Sequence, residues 1–162
     1  MRSFRVWMST DLQRVLCVWP SLLLDVLNAE SKIIGAHMPI QFNHTIWHAK
    51  DSRASAQWLS DLFDLPTPHP FGPFMTVVTS NDVNLDFIDA GDYAFQTQHY
   101  AFLVSEEEFD RIFGRIRERE MDYWADPFRK QAKMINHHFG GRGVYFPDPD
   151  GHLLEIITKP YA

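Results

Sequence analysis

Cysteine is nearly absent from this chain: Cys17 is the only one. A lone thiol excludes an intrachain disulfide and a cysteine-based zinc site, and it makes a reducing, cytoplasmic compartment the default. A cluster of Lys and Arg is also missing. The 15 basic and 21 acidic residues leave a net charge of −6 with no basic patch, so nucleic-acid binding has no electrostatic footprint here. Long apolar runs are lacking too. The stretch Val15–Leu27 is the most apolar, yet it is short and holds Pro20 and Asp25, which rules it out as a bilayer span.

What is present suits one domain with one sizeable core: 162 residues, 45% of them hydrophobic and 22% charged. The aromatic share of 14% points to a large core or pocket. Residues 1–37 read differently from the rest. They carry Arg2, Arg5, Arg14 and Lys32 against Asp11, Asp25 and Glu30, so the acidic balance lies wholly in the remainder. Met38 leads straight into a strand-like segment. The expected division is an N-terminal extension over 1–37, loosely packed or added by an upstream start codon, and a folded domain over 38–162. An extra packed helix and a targeting segment are the other readings of the first part; no small-x-small cleavage site follows its apolar run.

Alternation predicts a first strand over Ile40–Trp47, with Phe42, His44 and Ile46 on one face. Asp51-Ser52 opens a helix whose apolar stripe is Trp58, Leu59, Leu62 and Phe63, and Pro66, Pro68 and Pro70 end it. Phe74–Thr79 and Val83–Ile88 read as strands joined through Ser80-Asn81-Asp82. His99–Val104 is the next strand. Ser105 with Glu108 forms a capping box for a helix carrying Phe109, Ile112, Phe113 and Ile116 at core-facing spacing. Its Glu106–Glu108 run and its Arg115, Arg117 and Arg119 complement the helix dipole at opposite ends. A last hairpin, Gly143–Phe146 and Leu153–Thr158, turns through Asp148-Pro149-Asp150-Gly151.

The order repeats. His44 opens strand, capped helix and strands ending in Leu85-Asp86-Phe87-Ile88; His99 opens the same order ending in Leu154-Glu155-Ile156-Ile157. Glu155 in so apolar a strand has little reason to be there unless something buried compensates its charge, and a metal ion is the usual solution; a plain edge-strand Glu is the other reading. Asp86 stands at the matching place in the first copy. Each half is too small to fold alone, so the two should pair around a shared cleft. The fold class expected is α+β: two βαβββ modules, about 40–90 and 97–160, forming a curved mixed sheet around that cleft.

Paired βαβββ units with His on the first strand and Glu on the last resemble the vicinal oxygen chelate superfamily, which includes glyoxalases, bleomycin-resistance proteins, fosfomycin-modifying enzymes and extradiol ring-cleaving dioxygenases. The resemblance covers about 40–160. It implies a metal held by His44, His99 and Glu155, a two-His, one-carboxylate set suited to Fe(II), with Mn, Ni or Zn as alternatives. Asp86 would be a fourth ligand in glyoxalase-like members. The run from Asn136-His137-His138 through Val144-Tyr145 and Asp148-Pro149-Asp150-Gly151 to Glu155 resembles the extradiol dioxygenase signature. That implies catalytic roles for His138, to stabilise charge on oxygen, and for Tyr145, to donate to a substrate oxygen. Asn84 stands near the place where those enzymes carry a further pocket His.

Asn84, Asn136 and Arg142 are the substrate-binding candidates; Arg142 suits a carboxylate or phosphonate, and a solvated loop Arg is the alternative. Trp47, Phe74 and Trp124 belong either to an aromatic cleft or to plain core, and His48 to the surface or the pocket rim. The function implied is oxygenation of a catechol-like small molecule. The competing readings are a glyoxalase-like lyase or isomerase, thiol transfer to fosfomycin, and a metal-free binding protein like the bleomycin-resistance members. The assembly expected is a homodimer, with neither nucleic acid nor membrane as a partner.

Overall fold

The computed structural model describes residues 40–161. The extension over 1–37 lies outside the described residues. Two modules follow one another in the chain. The first runs β1 (His44–Ala49), α1 (Ser52–Phe63), β2 (His69–Phe71), β3 (Phe74–Val78) and β4 (Asn84–Asp89). The second runs β5 (His99–Leu103), α2 (Glu106–Glu118), a 3-10 turn (His138–Gly140), β6 (Gly143–Pro147) and β7 (Leu153–Ile157). Among the described residues no helix is long and apolar enough to cross a membrane.

Local chemistry sets the helix ends. The Asp51 carboxylate accepts from the Ala54 N–H and starts α1. The helix stops before the prolines: Asp64 turns left-handed at φ 62°, and the Leu65 N–H returns to the Ser60 carbonyl. Ser105 and Glu108 form both bonds of the capping box on α2.

Strands pair within each module, giving mixed sheets of order β1-β4-β3-β2 and β5-β7-β6. β2 has no counterpart in the sequence reading. It is a short, fully exposed edge strand holding Pro70, a residue tolerated at an edge because one side of the strand makes no ladder bonds. In the second module the corresponding strand shrinks to Trp124, whose backbone bridges Tyr145 and Ala132.

The repeat holds in register. His44 pairs with Asn84 and Ile46 with Asp86, while His99 pairs with Leu153 and Ala101 with Glu155. Each acid therefore sits two positions along from the partner of its histidine, on the same face. The opposite faces, with α1 and α2, make one apolar core. Trp47, Leu59, Leu62, Phe87, Phe109, Ile116, Phe146 and Ile156 are buried in it. Trp47 is core, not cleft.

The Asp148–His152 turn latches the second module onto the first. Trp47 Nε1–H donates to Asp148 Oδ2 (3.1 Å), the Lys50 N–H to Asp150 Oδ1 (2.9 Å), and the Ser55 hydroxyl to Asp150 Oδ2. Buried His152 accepts the Gln98 N–H at Nδ1 (2.8 Å), so its proton is on Nε2 and donates to the His48 carbonyl (2.8 Å).

Candidate metal centre

β7 places Glu155 at the middle of a three-strand ladder, flanked by Ala101 on β5 and Tyr145 on β6. Its side chain is 1% exposed, and Oε2 has no hydrogen-bond partner among the described residues. A buried carboxylate oxygen left unmatched costs several kcal/mol unless a cation compensates it, on the order of 1–3 kcal/mol for the hydrogen bond alone.

The nearest candidate partner is His99 Nε2, 3.3 Å from Oε2. That separation is within ion-pair reach, yet no hydrogen bond joins the two atoms. The ring's other nitrogen is engaged. His99 Nδ1 lies 3.0 Å from the Leu153 carbonyl, which can only accept, so the imidazole proton is on Nδ1. With that proton on Nδ1, a neutral ring would turn its Nε2 lone pair toward a carboxylate oxygen. Metal-binding histidines typically direct their second N–H to a backbone carbonyl or carboxylate in this way. The pair therefore fits a cation: one nitrogen and one oxygen donor converge, His99 is oriented, and Oε2 is otherwise unsatisfied.

His44 is prepared similarly. Its Nδ1 meets Asn43 Oδ1 at 2.8 Å, leaving Nε2 free on an exposed ring. It does not complete the set within one chain. Among the described residues no group of three His, Cys, Asp or Glu side chains converges to hold a metal. Asp86 is buried, and Thr76 Oγ1 donates to its Oδ1 at 2.6 Å.

Tyr145 stacks on His99, with ring centroids 5.8 Å apart. Burial first, and then its proximity to Glu155, push the phenol pKa far up, so Tyr145 keeps its proton. Its hydroxyl lies 3.0 Å from that of Tyr161, whose own proton goes to Glu155 Oε1. Tyr161 was not legible as a site residue; its one signal is a hydroxyl-bearing aromatic six positions past Glu155. His138 is exposed on the turn before β6, and its neighbour Phe139 meets the Tyr161 ring at 5.2 Å.

The remaining candidates sit elsewhere. Asn136 shapes the loop: its Nδ2 donates to the Ala125 carbonyl (2.9 Å) and its Oδ1 accepts the His138 N–H (3.3 Å). A Cβ at Gly143 would lie 2.7 Å from Asn136 Oδ1, so a larger residue here would displace that side chain. Arg142 is bound on α2, by Glu106 Oε2 (2.6 Å) and Asp110 Oδ1 (2.6 Å), with its guanidinium over the Phe109 ring. Asn84 is half-buried on β4 beside His44, and His48 is exposed. Trp124 lies under the Arg129 guanidinium, and Phe74 is half-buried. A groove of about 520 Å³ opens between β1 and β5, lined by Phe42, Thr45, Leu85, His99, Tyr100 and Leu103 among others.

Glutathione transferase FosA of Serratia marcescens is 31% identical to this chain over 126 residues, which is 74% of this chain and 82% of that protein. The chain belongs to the vicinal oxygen chelate superfamily. A second relative, metallothiol transferase FosB of Shouchella clausii, is 35% identical over 75 residues, so this superfamily member spans about half the length of that protein (47%) and 46% of its own. Among solved structures, oxidase ChaP-H1 is 57% identical with a TM-score of 0.74, covering 76% of this chain and 98% of that one. No family model matches the chain. The vicinal oxygen chelate fold accounts for the paired modules and for the repeat of histidine and acid in register.

Proposed function

We propose that this chain is a metal-dependent oxidising enzyme, a dioxygenase of the extradiol type acting on a catechol-like small molecule, with Fe(II) the favoured metal. The observation that carries it is the meeting of His99 Nε2 and Glu155 Oε2 with no hydrogen bond between them, where a cation would satisfy both donors. The likeness to oxidase ChaP-H1 over nearly all of that chain supports oxidation over thiol transfer. So does Arg142: the cation best suited to a phosphonate is neutralised by Glu106 and Asp110.

Two residues of one chain make half a centre. We assign the third ligand to His44 of a second copy, in a homodimer. Three observations support this: His44 presents a free Nε2, β1 and β5 are the outer strands of their sheets, and Phe42, Ile46 and Leu103 expose apolar surface on or beside them. When bound, a divalent ion at a site with two histidines and one carboxylate supplies Lewis-acid and redox chemistry to substrate oxygens at its open positions. The protein's own part is positional. Tyr145 keeps its proton, which the Tyr161 hydroxyl accepts until a substrate oxygen takes its place, and His138 is exposed on the turn before β6. Asn84, beside His44 on β4, offers both a donor and an acceptor.

The test is anaerobic purification without a histidine tag, metal analysis, and oxygen-electrode assays of Fe(II)-loaded protein against a catechol panel. Oxygen uptake supports the reading. No uptake, together with hemithioacetal isomerisation by the Ni(II)- or Zn(II)-loaded protein, would replace it with the glyoxalase-like one and make Asp86 a ligand.

A further inference from the structure

Glu155 is held on two sides, and the sides differ. Oε2 is bare and faces His99, whereas Oε1 accepts the hydroxyl proton of Tyr161. A phenol has one proton to give. Since that of Tyr161 goes to the carboxylate, the 3.0 Å bond between the two hydroxyls must be donated by Tyr145. The bonds therefore run in one direction, Tyr145 to Tyr161 to Glu155 Oε1. The Tyr161 ring is braced by Phe139, a non-glycine residue at φ 54°. Tyr161 itself is half-exposed, so its position depends on these few bonds and not on burial in the core.

We infer that Tyr161 is a positioning residue for the metal centre: its hydroxyl occupies Glu155 Oε1, fixes the rotation of the carboxylate, and leaves Oε2 alone to bind the ion. The inference rests on the metal-site reading above. The terminal torsion of a glutamate is broad and roughly two-fold, so an unheld carboxylate would spread over orientations that do not face His99. Partners that orient a ligand in this way typically change metal affinity by about 10–100-fold when removed.

Full-length protein stripped with a chelator is titrated with Zn(II) against a chromophoric competitor, and the visible absorption of the Co(II)-loaded protein is recorded. Tyr161→Phe keeps the ring against Phe139 and removes only the hydroxyl. It should weaken Zn(II) binding about 10–100-fold and alter the Co(II) spectrum, and it should lower the melting temperature of the metal-free protein somewhat, because Oε1 then lies bare as well. Tyr161→Ala should weaken binding at least as much. Wild-type affinity and an unaltered Co(II) spectrum in Tyr161→Phe would overturn the inference, and so would weakening seen only in Tyr161→Ala, which would place the effect in the ring. Failure of the wild-type protein to bind any divalent ion is a separate result, and it would overturn the metal reading itself.

Discussion

His99 Nε2 and Glu155 Oε2 stand 3.3 Å apart with no hydrogen bond between them, and the imidazole's Nδ1–H is committed to the Leu153 carbonyl. Without a cation, a neutral imidazole here meets the buried carboxylate lone pair to lone pair.

Replacing Glu155 by Gln should relieve it. The amide nitrogen, placed at Oε2, would donate to His99 Nε2, while the amide oxygen at Oε1 would still accept from Tyr161. In the presence of a chelator, Glu155→Gln should be more stable than wild type by about 1–3 kcal/mol in urea unfolding, and it should no longer bind metal. A variant less stable than wild type under chelation would show that the carboxylate is already compensated.

The turn after β6 makes a stability prediction with a pH signature. Burial raises the pKa of Asp148 above its ordinary value. A raised acid favours the folded state in acid and loses that contribution as pH rises through its folded pKa. The Trp47 N–H opposes the shift by stabilising the charged form. Trp47→Phe should therefore destabilise the protein at every pH through lost packing, and by a further ~1–3 kcal/mol where Asp148 is ionised. The gap from wild type should be wider at neutral pH than below the carboxylate range. A gap that does not change with pH would deny the Asp148 bond its part.

Arg142 should matter to α2 and not to substrate. Arg142→Gln breaks the bonds to Glu106 and Asp110, which are largely exposed, so the loss should be at most ~1 kcal/mol. KM for any substrate should stay within about twofold. A large rise in KM would return Arg142 to the binding site.

Tyr145→Phe and His138→Ala should each lower turnover by about 10²–10⁴-fold with metal content intact, as expected on losing a group that donates protons or stabilises charge. Loss of metal in His138→Ala would instead make His138 a ligand.

How much of this was legible depended on periodicity. The two helices, their caps and the repeat of His44 and Asp86 on His99 and Glu155 were readable because 3.6- and 2-residue patterns and capping chemistry are local. β2 was not readable: three exposed residues with Pro70 at the centre carry no strand signal, and pairing with β3 alone makes them one. The ends of α1 were half readable, since the left-handed Asp64 ends the helix before any proline does. Asp148 and Asp150 read as turn residues, yet they also bind Trp47, Lys50 and Ser55 about a hundred positions away, and no sequence pattern records that. Tyr161 and His152 were missed for the same reason, since both act through tertiary bonds from irregular segments.

The most direct test of the central claim is the metal content of the purified protein and its variants. The account predicts about one divalent ion per chain for wild type and loss of it in His44→Ala, His99→Ala and Glu155→Gln. Mixed subunits of His44→Ala and Glu155→Gln should regain one ion per dimer, because the first retains His99 and Glu155 and the second supplies His44. A wild-type protein that binds no divalent ion, or stoichiometric metal in His99→Ala, would contradict it.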